Sequence, residues 1–153
     1  MNLFFDTSAL VKYFYYEMGT EQVSALIENP DNSLWILELA RTEFLSALLK
    51  KYRTREIGET QLQIAIEGFE STVCHFHIEP LGHIVTQEAE KLLKKYGRTE
   101  GLRTLDALQL GAFVLLVEAE DDWQFIVADK TLAYVAQCEN YSVITIISHG
   151  FPT

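Results

Sequence analysis

The amino-acid sequence predicts an α/β fold, three layers α/β/α around a central, mostly parallel sheet. Three observations carry that expectation. Five short apolar runs, Asn2–Phe5, Leu34–Leu37, Phe76–Pro80, Phe125–Ala128 and Ser142–Ile146, alternate with stretches of helical periodicity. Strands separated by helices pair in parallel through crossovers, and these lay helices on both faces of the sheet. No linker, internal repeat or low-complexity tract interrupts the 153 residues, so residues 1–153 read as one domain.

Each element has its own local reason. Asn2–Phe5 is an apolar strand. Thr7 and Ser8 then offer N-cap chemistry to a helix carrying Ala9, Leu10, Tyr13 and Phe14. Gly19-Thr20 breaks that helix, and Thr20 is placed to cap a second one running to about Glu28. Asn29-Pro30-Asp31-Asn32 is a turn. After the strand Leu34–Leu37 comes a long helix from Leu39 to Tyr52, with Leu39, Phe44, Leu45, Ala47 and Leu48 in helical register. Gly58 opens a helix over Glu59–Val73, and Phe76–Pro80 alternates weakly as a strand. Val85–Tyr96 is amphipathic and stops at Gly97. Thr104–Glu118 is mostly apolar and reads as a buried helix, followed by the strand Phe125–Ala128, the helix Lys130–Cys138 and the strand Ser142–Ile146.

Composition narrows the function. A net charge of −10 excludes a generic basic nucleic-acid binder, because phosphate contacts need Lys and Arg. It does not exclude a nuclease whose acids are metal ligands. Nine of the 12 basic residues fall in two clusters, Lys50, Lys51, Arg53, Arg55 and then Lys91, Lys94, Lys95, Arg98, Arg103, which are able to track a phosphate backbone. Cys74 and Cys138 have no metal-type spacing and are expected as reduced thiols. The N-terminus lacks a basic start and Asp6 interrupts its apolar stretch, so no signal peptide is expected. Ala107–Val117, the longest uncharged apolar helix, is too short to span a bilayer. These features predict a soluble, cytoplasmic protein.

Four carboxylates stand out. Asp6 and Asp129 each end an apolar run, at the C-terminal strand edge where open α/β sheets bind ligands. Either could instead serve as a helix cap, though Thr7 or Ser8 could relieve Asp6 of that work. Glu43 lies on an apolar helical face among Leu39, Ala40, Phe44 and Ala47, where a charge is costly unless paired or metal-bound. Arg41 and Lys50 are read as projecting elsewhere. Asp106 sits in a first helical turn, favoured there by the macrodipole, yet among Leu102, Leu105, Leu108 and Leu110. Gathered acids of this kind hold hard divalent cations, and divalent cations hold phosphates. His75, His77, His83 and His149 show no ligand spacing, and Glu118, Glu120, Asp121 and Asp122 read as a solvated acidic turn.

The segments Phe5-Asp6-Thr7-Ser8-Ala9-Leu10, Thr42-Glu43-Phe44, Leu105-Asp106-Ala107-Leu108-Gln109-Leu110 and Ala128-Asp129-Lys130-Thr131-Leu132 together resemble PIN-domain nucleases. Within that superfamily the chain is similar to the VapC-type toxins of toxin–antitoxin pairs, over essentially its whole length. The resemblance implies an endoribonuclease dependent on Mg²⁺ or Mn²⁺, leaving a 5′-phosphate and a 3′-hydroxyl. Asp6, Glu43 and Asp106 match the family's three principal acids, Asp129 the fourth, and Ser8 a small hydroxyl residue lining the site. Lys50, Lys51 and Arg53 are expected on the substrate side. The family often carries Thr or Ser two residues before the fourth acid, where this chain has Val127. The resemblance also implies an RNA substrate, a cognate antitoxin and a homodimer, with Tyr13–Tyr16 or Leu34–Leu37 as possible surfaces. The alternative from another class is a PIN fold that binds RNA or protein with little or no catalysis. A phosphoacceptor receiver would need adjacent acids after the first strand. A haloacid-dehalogenase-type phosphatase would need an Asp where Ser8 stands.

Overall fold

The computed structural model describes residues 1–117 and 121–148. Twelve elements follow one another: β1 (Asn2–Phe5), α1 (Thr7–Phe14), α2 (Thr20–Ile27), β2 (Ser33–Leu37), α3 (Leu39–Arg53), α4 (Glu59–Val73), β3 (His77–Glu79), α5 (His83–Tyr96), α6 (Thr104–Leu116), β4 (Trp123–Val127), α7 (Lys130–Cys138) and β5 (Val143–Thr145). The strands form one sheet in the order β3-β2-β1-β4-β5, and every pairing in it is parallel. The predicted three-layer α/β/α class is thus the observed one. Predicted strands are present with ends displaced by one or two residues. The helix expected to reach Glu118 closes at Leu116. Glu118, Glu120 and His149 lie outside the described residues, while Asp121, Asp122, His75, His77 and His83 are exposed.

Alternation along the strands divides the core in two. Leu3, Phe5, Leu34, Ile36, Ile126 and Ala128 face the layer built from α1 to α4, with Leu10, Val23, Phe44, Leu48 and Phe69. Phe4, Leu37, Phe125 and Val127 face the opposite layer, with Val85, Ala89, Leu110, Phe113 and Leu132 from α5, α6 and α7. This period-two split is what a sheet covered on both sides requires. In the first layer Phe44 stacks on Phe69 at 4.0 Å between centroids, and Phe14 meets both rings edge-on at 5.2 and 5.4 Å. Thus the helix that carries Glu43 is anchored from behind by aromatic packing. In the second layer Gly111 lets α6 lie close against α5, since a Cβ there would stand 3.1 Å from the Ala89 nitrogen.

Two expected caps are corrected. Asp6, not Thr7 or Ser8, caps α1, its carboxylate accepting from the Ser8 amide. An Asp placed between strand end and helix start has the shortest reach to that amide, while the two hydroxyls already lie inside the first turn. Likewise α2 starts from Gly19 at φ +96°, and Thr20 is its first residue. The Thr20 hydroxyl instead donates to the Lys12 carbonyl at 2.7 Å and accepts from the Glu17 amide at 2.9 Å. Cys74 and Cys138 are free and exposed. Among the described residues, no helix is long and apolar enough to cross a membrane.

Candidate active site

Asp6 follows β1 directly, and its amide continues the strand by donating to the Ile126 carbonyl at 2.9 Å. The side chain is only 3% exposed, and Oδ2 takes both the Ser8 amide (3.1 Å) and the Ser8 hydroxyl. Ser8 Oγ in turn accepts from the amides of Ala128 (3.0 Å) and Asp129 (3.3 Å). One hydroxyl therefore joins the C-terminal ends of β1 and β4, and with them Asp6 and Asp129. Asp129 caps α7, its Oδ1 accepting from the Leu132 amide at 2.8 Å. Both acids are helix caps, and both line the same cavity.

Glu43 is held from two sides. Thr7 Oγ1 donates to its Oε1 at 2.9 Å, and Gln109 Nε2 donates to the same oxygen at 2.7 Å. Gln109 is fully buried and also reaches Thr7 Oγ1 at 3.1 Å, while its own Oε1 has no partner among the described residues. The question left by the sequence, how a carboxylate survives on an apolar face, is answered by these two neutral donors. Neither Arg41 nor Lys50 pairs with it among the described residues.

Asp106 lies in the first turn of α6 and Arg103 just before that helix. Arg103 Nε donates to Asp106 Oδ2 at 3.2 Å, and its Nη2 stands 3.2 Å from the same oxygen and 3.8 Å from Asp129 Oδ2. A cavity of about 240 Å³ collects Asp6, Thr7, Ser8, Glu43, Arg103, Asp106 and Asp129. The four acids come from four separate segments and meet at the C-terminal end of the parallel strands, where ligands enter such sheets.

Electrostatics record how crowded the cavity is. Burial pushes the Asp6 carboxyl up to about 7, with Asp106 and Glu43 adding repulsion against the Ser8 hydrogen bonds. Burial raises Glu43 as well, opposed by Gln109 and Thr7. Asp106 is raised by burial first, with Arg103 pulling it down and Asp129 pushing it up. A set of oxygen donors that resist ionisation together suits a hard divalent cation, which would relieve both desolvation and mutual repulsion. Yet no three acidic, His or Cys side chains among the described residues stand close enough together to share an ion as they are. The residues fit such a cation by chemistry and by shared cavity, with the side chains not drawn in around one.

Lys50, Lys51 and Arg53 sit elsewhere, in the last turn of α3. Lys50 is seven residues beyond Glu43, about 10 Å further along the helix. Lys51 pairs with Glu56 at 3.3 Å and covers the Tyr15 ring at 4.4 Å. Arg53 lines a separate open hollow with Arg55, Tyr52 and Gln61. In the second basic cluster Lys91 pairs with Glu88 and Lys95 with Glu139. Sequence reasoning gave Thr7 only a capping role and Gln109 none, and counted Arg103 only as part of a basic cluster. Gln109 did leave a signal: an amide inside Leu108-Gln109-Leu110, three residues from Asp106 and so on its face of the helix.

Solved structures share this fold. VapBC2 from Rickettsia felis, bound to a DNA fragment from its promoter, matches with a TM-score of 0.63 and 13% identity, over 95% of this chain and 98% of that one. FitAcB from Neisseria gonorrhoeae matches with a TM-score of 0.63 and 13% identity, over 94% and 96% of the two chains. A toxin–antitoxin complex from Klebsiella pneumoniae matches with a TM-score of 0.61 and 20% identity, again over 94% and 96%. At such identities the likeness is one of fold. No curated protein matches the chain significantly by sequence. The family described as PIN domain matches residues 3–119, a stretch that contains Asp6, Glu43 and Asp106 and stops short of Asp129. With well over half of its length matched, the chain belongs to the PIN-domain family.

Proposed function

We propose that the protein is a divalent-cation-dependent endoribonuclease and the toxin of a toxin–antitoxin pair. The observation that carries this reading is the convergence of Asp6, Glu43, Asp106 and Asp129 on one cavity in a chain of the PIN family. These four carboxylates would hold Mg²⁺ or Mn²⁺. When bound, the cation supplies Lewis acidity toward the scissile phosphate and makes a nearby water more acidic. The remaining work belongs to the chain. Thr7 and Gln109 fix Glu43 by its Oε1, and Ser8 fixes Asp6 by its Oδ2 and ties it to Asp129. That leaves Asp6 Oδ1 without a hydrogen bond among the described residues, and so available to take part. We assign Ser8 to positioning on this account, since its hydroxyl is committed within the protein. Lys50, Lys51 and Arg53 are kept as candidates for contacts to more distant phosphates of a bound strand.

One solved structure of similar fold, that from Klebsiella pneumoniae, is described as a toxin–antitoxin complex, which supports an antitoxin as partner. Of the two surfaces named for a homodimer, Tyr13–Tyr16 is the one that stays accessible, with Tyr16 79% exposed, because Leu34–Leu37 is absorbed into the sheet core. A cytoplasmic location follows from the same reading.

The test is incubation of the purified protein with structured and unstructured RNAs in Mg²⁺, in Mn²⁺ and in EDTA, beside Asp6→Asn. Cutting that needs the cation and is lost in the variant is expected. Cutting retained by a folded Asp6→Asn, or in EDTA, would falsify the assignment. A binding-only PIN fold is favoured by one observation, the absence of three side chains already gathered at ion-sharing distance among the described residues. RNA retention without cutting in any cation would establish that reading instead.

A further inference from the structure

Among the described residues, Arg103 is the one basic side chain lining the carboxylate cavity. Its guanidinium contacts Asp106 Oδ2 at 3.2 Å through two nitrogens and approaches Asp129 Oδ2 at 3.8 Å. The Arg103 side chain is nevertheless 74% exposed, against 17% for Asp106 and 32% for Asp129. It is thus a solvated cation laid over two partly buried anions, not a member of the core. No side-chain capping bond ties it to α6, although it occupies the N-cap position of that helix. The backbone behind it is a loop, with Gly101 at φ +68° and open space around that glycine. With 74% of its side chain exposed, the guanidinium has solvent to rotate outward into.

We propose that Arg103 is a counter-cation built into the pocket, neutralising Asp106 and Asp129 until a divalent cation displaces it, so that it sets the cation concentration the site requires. The inference rests on the cation-binding reading given above and concerns regulation of that same site. Charge competition gives its direction. A guanidinium and a divalent ion cannot both take the same oxygens, and the doubly charged ion gains more from the buried acids. Displacement of the guanidinium from two exposed-to-half-buried pairs subtracts from the apparent affinity. Pairs of this exposure are individually worth little, so the combined effect is roughly three- to tenfold.

The deciding measurement is Mn²⁺ binding to the full chain, by titration calorimetry and by electron paramagnetic resonance of free Mn²⁺, with no RNA present. Arg103→Ala is expected to bind Mn²⁺ roughly three- to tenfold more tightly than the wild type, Arg103→Lys to fall between them, and Asp106→Asn to bind more weakly. A gain of affinity is a readout that structural damage does not produce, since a loosened site loses affinity. Unchanged or weakened binding in Arg103→Ala, with the melting temperature and circular dichroism preserved, overturns the proposal while leaving the cation site standing. Should Arg103→Ala not fold, Arg103→Gln makes the same comparison. Absence of Mn²⁺ binding by the wild-type chain overturns the cation reading and this proposal with it.

Discussion

Replacing Asp6 by Asn should make the cation-free protein more stable at pH 8, although it removes the residue most central to the site. The two hydrogen bonds to Asp6 both fall on Oδ2, from the amide and the hydroxyl of Ser8. An Asn carbonyl oxygen can take that place, and Asn caps helices as well as Asp does. What disappears is a buried charge. Asp6 titrates at about 7 against an ordinary 3.8, so the folded state holds this proton more tightly than the unfolded one. The favourable contribution is complete below 3.8 and is lost as the pH climbs from 3.8 to about 7. Three units correspond to about 4 kcal/mol at full ionisation. Guanidinium denaturation in EDTA at pH 4, 6 and 8 reads this directly. The variant and wild type should be close at pH 4, with the variant gaining several kcal/mol by pH 8. Added Mn²⁺ should narrow the difference by stabilising the wild type more. A wild type as stable as the variant in EDTA at pH 8 would refute the argument that burial and neighbouring acids strain this site.

Three further outcomes follow from particular contacts. Gln109→Leu keeps volume but removes a 2.7 Å bond to Glu43, so RNA cleavage should fall by roughly tenfold or more with the fold intact, measured as single-turnover rate. Ser8→Ala leaves the Ala128 and Asp129 amides without their side-chain acceptor and should destabilise by about 1–3 kcal/mol in urea titration, with weaker Mn²⁺ binding as Asp6 and Asp129 part. Gly19→Ala places a Cβ 2.5 Å from the Ile147 carbonyl at a positive φ, and should lower the melting temperature by several degrees without changing cleavage at low temperature.

Asp6 and Asp129 were legible in the sequence because each ends an apolar run, and strand ends are the most local signal an α/β chain offers. Glu43 and Asp106 were legible as anomalies, charges where apolar periodicity left no room for them. The matter that escaped was long-range pairing. Gln109 reaches Thr7 across 102 residues and Glu43 across 66, so the donor that makes Glu43 tolerable cannot be seen from its own helix. Arg103 looked like one more exposed base in a cluster, and its position over Asp106 and Asp129 depends on where the ends of α6 and β4 come to rest. Caps were misassigned for a different reason. Asp6, Thr7 and Ser8 are all capping residues in succession, and only backbone placement decides among them. Short strand ends were displaced because edge positions are set by the neighbour they pair with, which sequence periodicity does not contain.

The central place of β1 in the sheet has a consequence for synthesis. Its neighbours are β2 on one side and β4 on the other, so the first strand made waits for residues 123–127 before its second edge is paired. Chains emerge from the ribosome N-terminus first, and contacts between such distant segments form late. The cavity has no fourth acid until Asp129, just beyond β4, has been added. A growing chain therefore carries Asp6 and Glu43 as solvated carboxylates, and the complete four-acid cavity arises only when nearly all of the described chain has been released to fold. If the protein is the nuclease proposed here, topology alone shields the message being translated from its own product.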